Sequence, residues 1–474
     1  MMKIPSKVHF IGICGIGMSG IAQMLKWLGC DVIGSDRAVN SEENSVFTVP
    51  FRNLGIRLYH QDGSFLKSET APDYIVYSTA IENDNPDLAV SCDIPRIHRA
   101  TALGAAIRHL KGMISIAVTG SAGKTSVTGW ISEVLAELGE DPVSITGGIV
   151  SSFKSANSAG NFRPGKGRFL VFEADESDKS LLSYSPDYSV ILNIGTDHYS
   201  IEELLQVFGE FISRTASGTV IEFEALDKLG MDRIVGKKLA IFGEKKDIPP
   251  DFGLCGCIVK DYSSAGGVSR TVLEMLPAGT KHEIVLPVHG FHSALNASAV
   301  VSLCSMLGIG TGKLMDKVPS FKGVWRRFDF AGENSKGVQI YDDSAHNIEK
   351  IISCMKTAAG LARGKVIAVF QPHGFGPLGF MRESLLQSLE KNLRDNDIFA
   401  FLPVFYAGGS SSFSPTSEET VKLFTGKGAK NYIYFSSREV AEEKLEDLSG
   451  AGDIILIMGA RDNSLSLWAK KIVS

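Results

Sequence analysis

No stretch of this 474-residue sequence reaches about 18 uninterrupted apolar residues, which leaves no candidate for a membrane-spanning helix. An excess of either charge is also missing: 48 basic side chains face 53 acidic ones, for a net charge of -5. Broad electrostatic attraction to nucleic acid or anionic lipid is thereby excluded, and phosphate recognition has to be local. Cysteine is sparse and scattered. The closest two of the seven, Cys255 and Cys257, form a CxC with no second pair to complete a zinc site, so reduced thiols are expected. The start, Met1 to Phe10, shows no apolar run behind a basic segment. A cytoplasmic protein with neither nucleic acid nor membrane as partner is expected, as a monomer or homodimer. Internal repeats and low-complexity tracts are absent too. What is present is ordinary globular composition, 44% apolar and 21% charged, in a chain long enough for about three domains of roughly 150 residues.

The apolar pattern cycles through strand, turn and helix. Val8 to Ile13 runs into glycines and then into Ile21 to Leu28 at helical spacing, and further strands are predicted at Asp31 to Gly34 and Tyr74 to Ser78. Ile94 to Leu110 reads as a connection leading out of this unit. A second cycle opens with Ile114 to Thr119, a glycine turn and a helix from Ser126 to Leu138. Strands at Phe169 to Glu173 and Ser189 to Asn193 follow, then β-like segments over Gly236 to Leu286 and an apolar helix from Ser293 to Leu307. Phe321 to Phe330 reads as a linker. The third unit alternates again, through Gln339 to Asp342, Val366 to Phe370, Ile398 to Leu402 and Ile454 to Met458. The fold class is therefore α/β, in three domains over 1–110, 111–323 and 324–474, each a largely parallel sheet with helical crossovers. Such sheets bind ligands beyond the carboxyl ends of their strands.

The chemistry-bearing motifs fall at those ends. Gly15-Ile16-Gly17-Met18-Ser19-Gly20 fits GxGxxG directly after a strand, where backbone amides at a helix start can approach a diphosphate. Asp36, after the next strand, is placed to accept hydrogen bonds from a ribose or base; alone, this pair would suggest a nicotinamide dehydrogenase. Gly120-Ser121-Ala122-Gly123-Lys124-Thr125, again between strand and helix, is a phosphate loop with Lys124 for terminal phosphates and Thr125 for magnesium, although Val118 replaces the first glycine of the full pattern. Glu173 to Asp178 gathers carboxylates where magnesium on a triphosphate would sit, and Asp197-His198 ends the next strand; a solvated acidic loop is the competing reading. Arg326-Arg327 could neutralise a transferring phosphoryl group or be surface charge. Asp343 and His346 follow a strand, where the aspartate could equally be a helix cap.

Taken together these motifs, with His9 to Gly12, His292 to Asn296, Val324 to Phe328 and Phe370-Gln371-Pro372-His373, resemble the Mur ligase family along essentially the whole chain. The resemblance implies a Rossmann-like first domain that holds a UDP-sugar through Gly15, Ile16, Gly17, Met18, Ser19, Asp36, Ser78 and Thr79. It implies a P-loop ATPase-like central domain that holds ATP and Mg2+, and a Rossmann-like third domain that brings an amino acid or peptide amine. Carried over by position, Gly120 through Ser126 cradle ATP, Thr125, Glu173 and His198 serve magnesium, and His292 and Asn296 contact adenine. Arg327 and Asp343 are implied as ATP contacts, and His346 as a neighbour of the amine; Lys124, Glu173, His198, Arg327 and His346 form the implied catalytic set. The implied reaction phosphorylates a carboxylate and lets the amine displace phosphate, in cell-wall precursor synthesis.

This chain departs from the alanine-adding branch of the family in its third domain. That branch usually reads DDYxHHP, whereas Ser344 stands for the tyrosine and Asn347-Ile348 for the last histidine and proline. Gly374-Phe375-Gly376-Pro377 replaces a segment with closely spaced arginines, and Arg382 or Arg461 are candidates for the missing charge. Three readings follow: a ligase adding an amino acid, a ligase adding a peptide or other amine, and a nucleotide-binding homologue without ligation.

Overall fold

A computed structural model describes residues 5–110, 112–175, 180–195, 200–230, 238–244, 255–265, 268–406 and 413–473. Three sheets follow one another along the chain. The first contains β1 (Lys7–Ile11), β2 (Asp31–Asp36), β3 (Arg57–His60), β4 (Tyr74–Tyr77) and β5 (Arg96–His98), in the all-parallel order β3-β2-β1-β4-β5. Strand order reverses at β1, so the glycine turn after β1 opens at a topological switch point. β5 corrects the expectation of a mere connection over Ile94 to Leu110. Arg96 and His98 give this three-residue edge strand no apolar signature, but it pairs with β4 and feeds the helix Arg99–His109.

The second sheet holds β6 (Ile114–Thr119), β7 (Val143–Ile145), β8 (Phe162–Arg163), β9 (Phe169–Glu173), β10 (Tyr188–Ile191), β11 (Gly218–Glu222), β12 (Lys238–Glu244), β13 (Cys255–Ala265), β14 (Val268–Leu276) and β15 (Thr280–Leu286). Its order is β15-β14-β13-β12-β11-β10-β6-β9-β7-β8. β6 therefore lies between β9 and β10, and the loops after all three strands converge. The helix Lys124–Glu137 packs through Trp130, which is fully buried, stacks on Phe321 at 4.9 Å and donates from Nε1 to the Val318 carbonyl at 2.8 Å. Val324 bridges to Val150, so the front of the expected linker is part of this body.

The third sheet consists of β16 (Asp329–Glu333), β17 (Gln339–Asp343), β18 (Val366–Phe370), β19 (Ile398–Phe401), β20 (Tyr432–Tyr434) and β21 (Ile454–Met458), in the order β16-β17-β21-β18-β19-β20. Only β16 runs antiparallel to its neighbour among the pairings described, with a register shift at Gly332 that hides it from a period-two pattern. Apolar side chains cover both faces of this sheet. By compactness the chain divides into two units. One is Met1–Tyr262 with Thr271–Pro287 and His292–Val324; the other is Trp325–Ser474 with Ser263–Arg270 and Val288–Phe291. Among the described residues no helix is long and apolar enough to cross a membrane.

Candidate active site

In the first unit the site is built around the loop after β6. Gly123 has φ 86°, and a Cβ there would lie 3.1 Å from Asn296 Oδ1, so glycine lets the loop turn into its helix while the asparagine packs against it. The loop is fastened from β10's end: Asn193 accepts from the Ala122 amide at 2.8 Å and donates to the Ala122 carbonyl at 3.0 Å. Ser121 Oγ likewise receives the Gly195 amide at 2.9 Å. Lys124 Nζ donates to the Gly120 carbonyl at 2.8 Å and lies 3.8 Å from Asp175. The amide-rich loop thus presents a lysine at a helix N-terminus, the arrangement that receives phosphates.

Glu173 ends β9, beside this loop. Its Oε2 accepts from Thr125 Oγ1 at 2.8 Å and from the Gly147 amide at 2.7 Å. A carboxylate and a hydroxyl so close supply the hard oxygen donors that magnesium prefers. Gly147 gave no motif signal; its only trace in the sequence is the Gly147-Gly148 pair after a short apolar run. A Cβ at Gly147 would stand 2.6 Å from Glu173 Oε1, so only glycine lets the carboxylate lie against the loop. Gly147→Ala is expected to push Glu173 away and lower turnover about 100-fold, with a raised magnesium requirement, as measured by phosphate release against magnesium concentration. His198, Asp197, Glu176, Ser177 and Asp178 lie outside the described residues.

The glycine turn after β1 belongs to the same unit. Gly15 caps the helix Ile16–Trp27 and is exposed together with Ile16, whereas Met18 and Ser19 are buried. Their burial has a reason: Asn161, from the second sheet, donates to Ser19 Oγ at 2.6 Å and to the Ile16 carbonyl at 2.8 Å, and accepts from Gln23 at 2.8 Å. The turn therefore offers ligands its backbone rather than those two side chains. Asp36 receives the Cys14 amide at 3.0 Å and the Ala38 amide at 3.0 Å, which fixes the carboxylate beside the turn. Ser78 and Thr79 follow β4 across the switch point.

Between the glycine turn and Glu173 lies a cavity of about 320 Å³, lined among others by Ile16, Gly17, Arg99, Gly147, Glu173 and Asp175. Arg99, which the sequence did not single out, reaches across it, 2.5 Å from where a Gly17 Cβ would stand and 3.2 Å from Asp175 Oδ2. No periodicity marks Arg99, because the missed strand β5 is what delivers it. His292 is exposed in the first turn of the helix Phe291–Met306, one turn before Asn296.

In the second unit, Arg326 and Arg327 separate sharply. Arg326 is buried, its Nε 3.2 Å from both Asp342 oxygens, with further hydrogen bonds to the carbonyls of Asp462 and Gly459. Arg327 is exposed. Asp343 does not cap the following helix; Asn347 does, accepting from the Lys350 amide at 3.0 Å. Asp343 instead receives the amides of Phe328 and Ala345, both at 2.6 Å. Its carboxylate therefore orients the segment that carries Arg327. His346 donates from Nδ1 to the Ser344 carbonyl at 2.8 Å and meets His373 edge-on, with ring centroids 5.2 Å apart. Burial pulls the His346 imidazole down to about 4 and lowers His373 as well, so both are neutral at pH 7.

Lys124, Thr125, Glu173 and Asn296 are thus gathered in the first unit, and Arg327, Asp343 and His346 in the second. Three successive segments of the chain match descriptions of one protein family. Residues 7–111 match the Mur ligase family catalytic domain, 118–304 the Mur ligase middle domain and 326–461 the Mur ligase glutamate ligase domain. A Rhizobium etli protein named UDP-N-acetylmuramate--L-alanine ligase is 31% identical over 493 residues, covering 99% of this chain and 97% of the relative. A Geobacter protein of the same name is 32% identical, covering 96% and 94%. Among solved structures, the UDP-N-acetylmuramate-alanine ligase of Thermotoga maritima superposes with a TM-score of 0.79 at 25% identity over 98% of both chains. A murein peptide ligase from Psychrobacter arcticus shares the fold, with a TM-score of 0.69 at 18% identity over 98% of both. The chain belongs to the Mur ligase family and is an ATP-dependent ligase.

Proposed function

We propose that this enzyme forms an amide between the carboxylate of UDP-N-acetylmuramate and an amino acid, L-alanine as in its named relatives, in peptidoglycan precursor synthesis. One observation carries the reading: a single cavity runs from the glycine turn after β1 to Glu173 beside the phosphate loop. A UDP-sugar held by its diphosphate at Gly15 to Ser19, with Asp36, Ser78 and Thr79 alongside, can extend its carboxylate along that cavity toward ATP. Gly120 to Ser126 cradle the phosphates and Lys124 neutralises the terminal ones, while His292 and Asn296 face adenine. The residues are grouped as 1–110, 111–323 and 324–474, for the UDP-sugar, ATP and amine.

A bare carboxylate is a poor acyl donor. Its oxygen attacks the γ-phosphorus, ADP leaves, and the acyl phosphate so formed carries a good leaving group. The amine then adds to the acyl carbon and inorganic phosphate departs, with the amine proton lost to solvent or a nearby base. Positioning and charge neutralisation supply most of the acceleration. Thr125 and Glu173, with His198, would hold magnesium, which would neutralise the triphosphate. Arg327, oriented through Asp343, adds positive charge, and neutral His346 stands next to the amine without repelling an ammonium group. ATP use and seven free cysteines suit a cytoplasmic setting.

The reading is tested in two stages. With UDP-N-acetylmuramate, MgATP and hydroxylamine, the acyl phosphate is expected to be trapped as a hydroxamate without any amino acid present. With single amino acids and short peptides in place of hydroxylamine, phosphate release is expected for L-alanine. Ser344, Asn347 and the Gly374 to Pro377 segment favour one alternative, a ligase adding a peptide or another amine; turnover with peptides and none with L-alanine would establish it.

A further inference from the structure

Three neighbouring strands of the third sheet release their chains at one level. β21 lies between β17 and β18, and Met458 is in register with both Asp343 and Phe370. The Gly459 amide donates to the Asp343 carbonyl at 3.1 Å, and the Gln371 amide to the Met458 carbonyl at 2.8 Å, so the three loops start side by side. Three residues beyond that level stand His346, His373 and Arg461. Arg461 is on the middle loop.

The loop that carries it is held firmly. Arg326 bonds the carbonyls of Gly459 and Asp462 on either side, and Asp462 is buried against Arg438 and Ser464. Arg461 itself is exposed and makes no ion pair among the described residues. Nearby acids are already engaged: Asp342 by Arg326, Asp343 by two backbone amides, Asp462 by Arg438. The charge of Arg461 is felt at His373, while His346 faces Arg327 and Lys350. With both imidazoles neutral, the charged side chains that act on them, Arg461 at His373 and Lys350 and Arg327 at His346, are positive. Arg382, the other candidate, lies within electrostatic reach of Glu419 at the start of the helix Ser417–Gly426.

We propose that Arg461 anchors the α-carboxylate of the incoming amine, so that this enzyme adds a free amino acid in preference to a peptide or carboxamide. The proposal rests on the ligase reading above. A guanidinium meets a carboxylate with two parallel charge-assisted hydrogen bonds. A peptide or carboxamide amine has spent its α-carboxyl in an amide and offers no such charge.

The test compares the most active amino acid of the panel with its own carboxamide, in the parent enzyme and in Arg461→Gln and Arg461→Lys. The parent is expected to favour the amino acid in kcat/KM by about 100-fold. Arg461→Gln is expected to raise KM for the amino acid about 10- to 100-fold, leave the carboxamide nearly unaffected, and leave hydroxamate formation and the ATP KM unchanged. Arg461→Lys should recover part of the preference. An unchanged preference in Arg461→Gln, a raised ATP KM instead, or a parent enzyme that uses only peptides overturns the assignment. A parent enzyme that forms no hydroxamate overturns the ligase reading itself, and this one with it.

Discussion

Lys124→Ala is expected to lower turnover about 1,000-fold or more, for hydroxamate trapping and for the complete reaction alike. The phosphoryl group passes through a state rich in negative charge, and the chain supplies few fixed cations where it forms. Lys124 is set at the start of the helix that follows the phosphate loop, with its ammonium tied to the Gly120 carbonyl and near Asp175. That tether holds the side chain back along the loop, ready to follow a phosphate. Lys124→Arg is expected to fail almost as badly, since a planar fork cannot occupy the place of a compact ammonium beside the tight Gly120–Gly123 turn. Circular dichroism and thermal melting should show both variants folded. Retained hydroxamate formation in Lys124→Ala would remove the residue from its role.

Arg326→Ala is expected to destabilise the C-terminal unit by about 3–5 kcal/mol, because it strands a buried carboxylate. Asp342 is 2% exposed, and Arg326, itself 3% exposed, is its charge partner. The substitution also frees the carbonyls of Gly459 and Asp462. Burial already raises Asp342 above the usual carboxylate range, and without the arginine it rises further. A carboxyl whose folded pKa exceeds its unfolded one stabilises in acid and loses that contribution as pH climbs through the folded value. The deficit of Arg326→Ala should therefore grow from pH 5 to pH 8 in urea melts. Arg326→Met combined with Asp342→Leu should melt closer to the parent than Arg326→Ala does. Equal stability of parent and Arg326→Ala would refute the structural role.

The two adjacent arginines show where sequence reading stops. Arg326 takes φ 56° and turns inward, and Arg327 stays in solvent, yet in one dimension both are simply cations after a tryptophan. Strands β6, β9, β18 and β21 match expectation residue for residue, because short buried runs bounded by glycine or charge have little freedom in where they end. β10 ends two residues early, since Leu192 and Asn193 leave the sheet and Asn193 fastens the phosphate loop. Short strands such as β5, β7 and β8, two or three residues long, carry too few side chains to show a period. The site divides in the same way. Lys124, Thr125 and Glu173 are legible because a loop or a strand end marks them locally. Gly147 and Arg99 come to the cavity only through strand order, which no local pattern records.

The side chains of Asn161 and Gln23 join the first two sheets through bonds to Ser19, to the Ile16 carbonyl and, from the Ala159 amide, to Gln23. For anyone recombining modules between ligases this matters. A first domain borrowed from a relative would arrive without its matching residue at 161, and its glycine-turn helix would meet polar groups it could not pair. Chimeras should therefore be spliced near Val324, with the first two sheets inherited together from one parent.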